Sequence, residues 1–298
     1  MIEELVYKAR ILQSALPYIR KFYGKTFVIK YGGSAMVEQQ LRESFAKDAA
    51  LLQYIGVKVV VVHGGGPHIN QTLERFGIKP SFFGGIRKTD EETMHIVEMV
   101  LSGDVNKDIV ALINLNSGEQ VYAVGISGRD GQLIRAKKLN KETYFKDIGL
   151  EAPEEDIGYV GEVEDINVGL LQALMEKNYI PVIAPVGIGE WGEPYNINAD
   201  IVASEIARYL KAEKLMFLTD SQGVLDSQGE LISSLNREGA YRLIREGVIK
   251  GGMIPKVKSS LKALEGGVRK VHIIDGRIPH SILLEVFTEE GIGTEIVS

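Results

Sequence analysis

The chain has 298 residues, 45% of them apolar and 25% charged, so it is long enough for one large domain or two lobes around a buried core and is not disordered overall. With 34 Lys plus Arg against 40 Asp plus Glu the net charge is -6, which argues against a general nucleic-acid binder and leaves any phosphate chemistry to a local cluster of cations. The absence of cysteine excludes disulfides, thiolate nucleophiles and Cys-ligated zinc and leaves the redox compartment open, while the 33 glycines are in excess and gather in short clusters.

Met1 to Lys21 contains Glu3, Glu4, Lys8, Arg10 and Arg20, so it lacks the apolar run of a secretory signal. No segment approaches the ~20 apolar residues of a membrane helix, and the expectation is a cytoplasmic protein without a membrane partner. Ile2, Ala9 and Leu16 lie seven apart, as do Leu5, Leu12 and Ile19, forming an a/d seam with Pro17 inside it. The seam predicts a helix kinked near Pro17, packed either on its own domain or on another subunit.

Strands and helices then alternate. Thr26–Tyr31 reads as a strand, Gln39–Tyr54 as a helix, and Lys58–His63 as a strand buried on both faces. A helix runs from the glycines after His63 to about Phe76, and Glu91–Leu101 and Asn106–Asn114 read as two more. Gln120–Val163 reads as short hairpin-like strands. Val168–Lys177, Ala199–Leu210, Arg237–Glu246 and Pro255–Glu265 read as helices, and Ile180–Pro185, Lys214–Thr219 and Lys270–Ile274 as strands. This alternation predicts an α/β fold with an open, mainly parallel sheet sandwiched by helices. A lobe boundary falls near Lys211–Glu213, dividing the chain into the helix at 1–22, one lobe at 23–212 and another at 213–298.

The P-loop pattern is absent. A dinucleotide pattern occurs once, at Gly187–Gly192, but Glu193-Pro194-Tyr195 follow it where a helix is needed. Three other clusters, Gly32-Gly33-Ser34, Gly64-Gly65-Gly66 and Gly251-Gly252-Met253, are read as each following a buried strand. Glycine there lets backbone N–H groups approach phosphate oxygens, and two of the clusters have a lysine nearby. Together they predict a polyanion site. His63 and His68 match no zinc spacing, and no protein metal ligands are named.

The motifs VIKYGGSAM at 28–36, VVHGGGPHIN at 61–70, GIRKTD at 85–90, NINAD at 196–200, LTDSQGV at 218–224 and GGMIPK at 251–256 occur in a specific order and spacing. Through them the whole chain resembles the amino-acid kinase family, and within it the branch that acts on N-acetyl-L-glutamate in arginine biosynthesis. The resemblance implies phosphoryl transfer from ATP to a side-chain carboxylate, giving an acyl phosphate. A carboxylate is already ionised at neutral pH, so the nucleophile needs no general base and catalysis reduces to positioning and charge neutralisation.

By the resemblance, Lys30 and Lys256 reach the transferring group and Asp200 organises them; Asp200 also suits a helix N-cap. Gly33, Gly65 and Gly66 supply backbone donors. Arg87 holds the substrate's α-carboxylate, a task suited to a bidentate fork, and Asn196 and Asn198 lie near the substrate. Thr219, Asp220, Gly223, Val224, Gly251, Gly252 and Met253 form the nucleotide side, and Mg2+ enters with ATP. Arginine-inhibited members also carry an N-terminal helix and a C-terminal segment like 280–294. Here that segment offers His280, Glu285 and Gly291 to arginine, and the resemblance, taken with the seam, implies a hexamer built as a trimer of dimers. Sister kinases for glutamate, aspartate, carbamate or UMP, a dinucleotide oxidoreductase and a non-catalytic arginine sensor remain as alternatives. The motifs GIRKTD and NINAD and the intact Lys30, Lys256 and Asp200 speak against them.

Overall fold

In this computed structural model, which describes residues 2–298, Thr26–Tyr31, Lys58–His63, Lys214–Thr219 and Lys270–Asp275 are strands buried along almost their whole length. They form the middle of an eight-stranded sheet. Its order is Ser234–Asn236, Thr294–Val297, Lys270–Asp275, Lys214–Thr219, Thr26–Tyr31, Lys58–His63, Tyr179–Ala184 and Tyr122–Ser127. Neighbours run parallel except Lys270–Asp275 with Thr294–Val297.

Side chains alternate between the faces of a strand. Phe27, Ile29, Tyr31, Val59 and Val61 therefore pack on one face against the helices Gln39–Tyr54 and Asn106–Ser117. Val28, Val60 and Val62 pack on the other against Ala199–Tyr209 and Met253–Glu265. Each such fully buried side chain contributes roughly 1.5–3 kcal/mol relative to exposure, which fixes the register and with it the positions of the strand ends. The α/β class, the parallel sheet and the N-terminal helix are as the sequence predicts.

Several local expectations are corrected. The two helices predicted around residues 91–114 are one continuous rod: α-helix at Glu91–Glu98, π-helix at Met99–Val105 and α-helix again to Ser117. In the 120–163 region only Ile134–Lys138 has the hairpin character expected, pairing antiparallel with Gly161–Ile166 across a bulge; Tyr122–Ser127 joins the main sheet and Lys141–Asp147 is a helix. Gly187–Gly192 lies in an antiparallel hairpin between Val186–Ile188 and Pro194–Asn196, so no helix N-terminus follows the glycines. Gly251-Gly252 does not follow a strand: it follows the helix Arg237–Arg245 and leads directly into Met253–Glu265.

The first helix runs from Ile2 to Phe22 without losing a helical residue at Pro17. Its seam does not pack on its own domain: Ile2, Leu5, Leu12 and Leu16 are 73%, 59%, 74% and 43% exposed. Only its end is anchored, through Phe22 against Phe27 and Tyr18 against Phe287. Among the described residues no helix is long and apolar enough to cross a membrane.

Candidate active site

The strands Thr26–Tyr31 and Lys58–His63 are parallel neighbours, with Tyr31 level with His63. Their glycine turns therefore emerge side by side, and the Gly64 N–H donates to the Tyr31 carbonyl at 2.8 Å. Lys30 folds back over Gly32, where any Cβ would collide with its Nζ. Gly33 has φ +70, a conformation that favours glycine, and its Cα faces the Asp220 carboxylate. The Asp220 Oδ1 accepts the Ser34 N–H at 2.7 Å, tying the loop after Lys214–Thr219 to the first glycine turn.

Asp200 lies between the two lysines. Its Oδ2 is 2.5 Å from Lys256 Nζ and its Oδ1 is 3.3 Å from Lys30 Nζ, the second an ion pair without hydrogen-bond alignment. Burial by itself would raise this carboxyl, but the Lys30 and Lys256 charges outweigh it and hold Asp200 well below the usual carboxylate range. Burial lowers the affinity of Lys256 for its proton and Asp200 acts in the opposite direction. Lys256 also sits 5.1 Å from the centre of the Phe217 ring. Asp200 is not the helix cap: Asn198 takes that role, its Oδ1 accepting the Asp200 and Ile201 N–H groups at 2.8 and 3.4 Å. The Asp200 side chain is thereby left to the lysines.

Beside this cluster is a cleft of about 190 Å³, lined by Gly64–Gly66, Arg87, Asn196 and Asn198 together with Phe82, Leu101 and Tyr144. Gly65 caps the helix Gly66–Arg75, whose first turn is aimed at the cleft. Arg87 is 7% exposed. Its Nη2 donates to Asn70 Oδ1 at 2.6 Å, its guanidinium lies 4.6 Å from the centre of the Phe82 ring, and its Nη1 is buried without a partner. Burial pushes its pKa down to about 10. A guanidinium that lines a cleft and keeps a donor unused has the chemistry to bind a carboxylate there. Asn196 is held by Thr89 Oγ1, which it meets through Nδ2 at 3.1 Å.

The nucleotide-side residues divide. Thr219 and Asp220 border the glycine turn, and Gly251 (φ +56) and Gly252 form an exposed turn opening the helix that carries Lys256. Met253 is half-buried in the core behind it. Gly223 and Val224 are set back: a Cβ on Gly223 would press on Thr294, and the Val224 N–H is taken by Thr294 Oγ1 at 2.8 Å. Among the described residues no three His, Asp or Glu side chains cluster as a metal cage.

A second cavity, of about 830 Å³, lies between the N-terminal helix and the C-terminal segment. Glu285 and Gly291 line it, as do Lys21, Lys214, Lys270, His272 and Glu295. Glu285 is buried. Its Oε1 meets His272 Nδ1 at 2.6 Å, and its Oε2 accepts the Ile292 and Gly293 N–H groups at 2.7 and 3.1 Å. His280 does not join it; it faces the other way, with Nδ1 2.6 Å from Asp48 Oδ1. His272 and Lys214 carry no motif. The one signal in the sequence is an ionisable residue in each of two mostly apolar strands, His272 inside KVHII and Lys214 at the head of KLMFLT.

The family model described as "Amino acid kinase family" matches residues 25–275. Acetylglutamate kinase of Aquifex aeolicus is 68% identical over 295 residues, covering 99% of both chains, and that of Persephonella marina is 60% identical over 299 residues, covering 100% of both. Among solved structures, N-acetylglutamate synthase from Neisseria gonorrhoeae, complexed with coenzyme A and N-acetyl-glutamate, superposes with a TM-score of 0.83 at 26% identity over 97% of this chain. The chain spans 63% of that longer protein. Carbamate kinase from Giardia lamblia shares the fold, with a TM-score of 0.63 at 17% identity over 92% of this chain and 99% of that one. Parallel sheet, adjoining glycine turns and the match across 251 of the 298 residues agree, and the chain belongs to the amino acid kinase family.

Proposed function

We propose that this chain transfers the γ-phosphoryl group of ATP to the side-chain carboxylate of N-acetyl-L-glutamate, giving an acyl phosphate for arginine biosynthesis. The observation that carries the reading is the Arg87 guanidinium, buried with an unused donor in a cleft that adjoins two glycine turns and a lysine pair. The relatives named acetylglutamate kinase support it. In this reading Arg87 grips the α-carboxylate, Asn196 and Asn198 border the substrate, and the Gly33, Gly65 and Gly66 N–H groups receive the phosphoryl oxygens. A substrate carboxylate oxygen attacks the γ-phosphorus as the bond to the bridging oxygen breaks, and ADP leaves with the electron pair. Lys30 and Lys256 neutralise the charge that two approaching anions bring together, each held on target by Asp200. Asp200 stays ionised and transfers no proton. Gly251, Gly252 and the Thr219–Asp220 turn border the nucleotide. Magnesium travels on the ATP phosphates and supplies part of the charge neutralisation.

The finer reading adds control by arginine. The second cavity is lined by Glu285, Lys21 and a Lys270–Glu295 ion pair at 2.6 Å, which arginine would open by giving its guanidinium to the carboxylates and its carboxylate to the ammonium groups. The same Neisseria synthase has also been solved with coenzyme A and L-arginine. The exposed seam of the first helix supports pairing with another subunit and a hexamer made of three dimers. Arginine wedged between that helix and the core would act through its differential affinity for two arrangements of the ring.

Hydroxylamine trapping tests the activity: ATP with N-acetylglutamate should yield a hydroxamate together with ADP. Faster turnover with glutamate, aspartate, carbamate or UMP would assign the chain to a sister kinase instead.

A further inference from the structure

Behind the Gly64–Gly66 turn lies a polar chain that the reaction as described does not use. His63 ends its strand fully buried. Its Nε2 faces Asn106 Nδ2 at 3.1 Å and its Nδ1 faces the Gly64 carbonyl at 2.7 Å. The Asn106 amide is oriented by its other partners: Oδ1 accepts from Lys107 Nζ at 3.0 Å, and Nδ2 donates to the Val182 carbonyl at 2.9 Å. With Nδ2 as donor, His63 Nε2 must accept, which leaves the imidazole proton on Nδ1. That N–H donates to the Gly64 carbonyl. Burial, with a smaller push from the Lys107 charge, lowers the His63 pKa to about 4, so the ring is neutral at working pH.

A carbonyl and the N–H that follows it share one planar unit and point opposite ways when the peptide is trans. Among the described residues no peptide is cis. Holding the Gly64 carbonyl inward on His63 therefore turns the Gly65 N–H outward, to the side where Gly65 lines the cleft. Glycine has no side chain with which to hold this plane itself. The π-helix makes the arrangement possible. Its extra residue per turn shifts the helical register so that Leu101 covers Gly65 while Asn106, the next residue after it, reaches His63. Gly125 is bare at the same point, and a Cβ there would overlap Asn106 Oδ1.

We propose that His63, Asn106 and Lys107 are positioning residues, a relay from the Lys107 ammonium to the Gly64–Gly65 peptide that presets the Gly65 N–H for the transferring phosphoryl group. The proposal rests on the kinase reading of the site. The positive end strengthens each bond along the chain, as hydrogen bonds polarise one another in a low dielectric.

Two substitutions at His63 separate positioning from packing. In His63→Asn the amide nitrogen falls near the Nδ1 position, so donation to Gly64 is kept and the Asn106 contact is lost. In His63→Gln the amide falls near Nε2, so the Asn106 contact is kept and the donation is lost. Outright loss of an oxyanion donor costs about 10²–10³ in kcat, so loosening one should cost His63→Gln about tenfold or more, with the N-acetylglutamate KM within about threefold. His63→Asn should stay within about threefold of wild type in kcat. Lys107→Met, which also gives up a bond to the Gly125 carbonyl at 2.9 Å, should lower kcat by about threefold with the N-acetylglutamate KM unchanged. Equal losses in both His63 variants, or a change in KM with kcat intact, would make His63 a packing residue and overturn the proposal. If the His63 variants do not fold, an unchanged kcat in Lys107→Met overturns it alone. A wild-type protein that forms no hydroxamate refutes the kinase reading, whereas an active wild type whose variants lack this ranking refutes only the relay.

Discussion

Replacing Asp200 by asparagine would remove the anion that lies between two ammonium groups while keeping the side chain's shape. The separations to Lys256 and Lys30 are 2.5 and 3.3 Å. At an effective dielectric of ~20 these correspond to gross attractions of about 7 and 5 kcal/mol. Desolvation of the carboxylate offsets much of that, and breaking a buried pair costs about 3–5 kcal/mol net. At 1.36 kcal/mol per pH unit, the same energy would displace an ionisation by about 2–4 pH units. Lys256 takes the larger part, because its proton affinity is already lowered by burial and by Lys30 and is held up mainly by Asp200. The sign follows from the required form. Lys256 must be charged to neutralise the phosphoryl group, so kcat is high below its folded pKa and falls as pH rises through it. In Asp200→Asn that alkaline limb should move to lower pH, alongside a fall in melting temperature. The assay is kcat from pH 5.5 to 10 by coupled ADP release at saturating substrates, with thermal melts at each pH. An alkaline limb in the wild-type position together with an unchanged melting temperature would refute the argument that Asp200 sustains the charge on Lys256.

Lys30→Ala and Lys256→Ala should each lower kcat by about 10²–10³ with little change in the N-acetylglutamate KM, as steady-state kinetics would report. Arg87→Lys should raise the N-acetylglutamate KM about 10- to 100-fold, the value of a hydrogen bond to a charged group, with the ATP KM nearly unchanged; a shift in ATP affinity instead would place Arg87 on the nucleotide side. His63 titrates near 4 when folded and near 6.5 when unfolded, so the unfolded state binds the extra proton between those values and stability rises with pH across that window. Denaturant titrations of His63→Asn against wild type at pH 4.5 and 7 should show that contribution lost, up to about 3 kcal/mol. Deleting residues 1–20 should leave an active, smaller oligomer with weakened arginine inhibition, and sedimentation with inhibition curves would decide it. A deletion variant that still sediments as the full-length assembly and is fully inhibited would refute the role given to the exposed seam.

What the sequence determined by itself was the sheet and the short-range chemistry. Runs such as KVVVVH and KLMFLT, short, apolar and rich in β-formers, read as buried strands, and a glycine turn after such a strand sits at the sheet's carboxyl edge. Lys30, Gly32 and Gly33, and His63 through Gly66, were therefore legible as one cluster at that edge. Tertiary structure alone decided the partners that come from far along the chain. Asp200 against Lys30 and Lys256, Asp220 against Ser34, and Arg87 over Phe82 and under Asn70 depend on how strands cross and helices stack, which no local periodicity encodes. The cap at residues 198–200 shows the limit well: Asn and Asp both suit an N-cap, and only the position of the lysines assigns the cap to Asn198 and the ion pairs to Asp200. The π-helix was invisible for the same reason, since its apolar residues still recur at near-helical spacing and the extra residue shows only once Asn106 is seen to reach His63. His280 lies apart from Glu285 because sequence nearness says nothing about facing: five residues on, across a left-handed turn at His280, one side chain points to Asp48 and the other to His272.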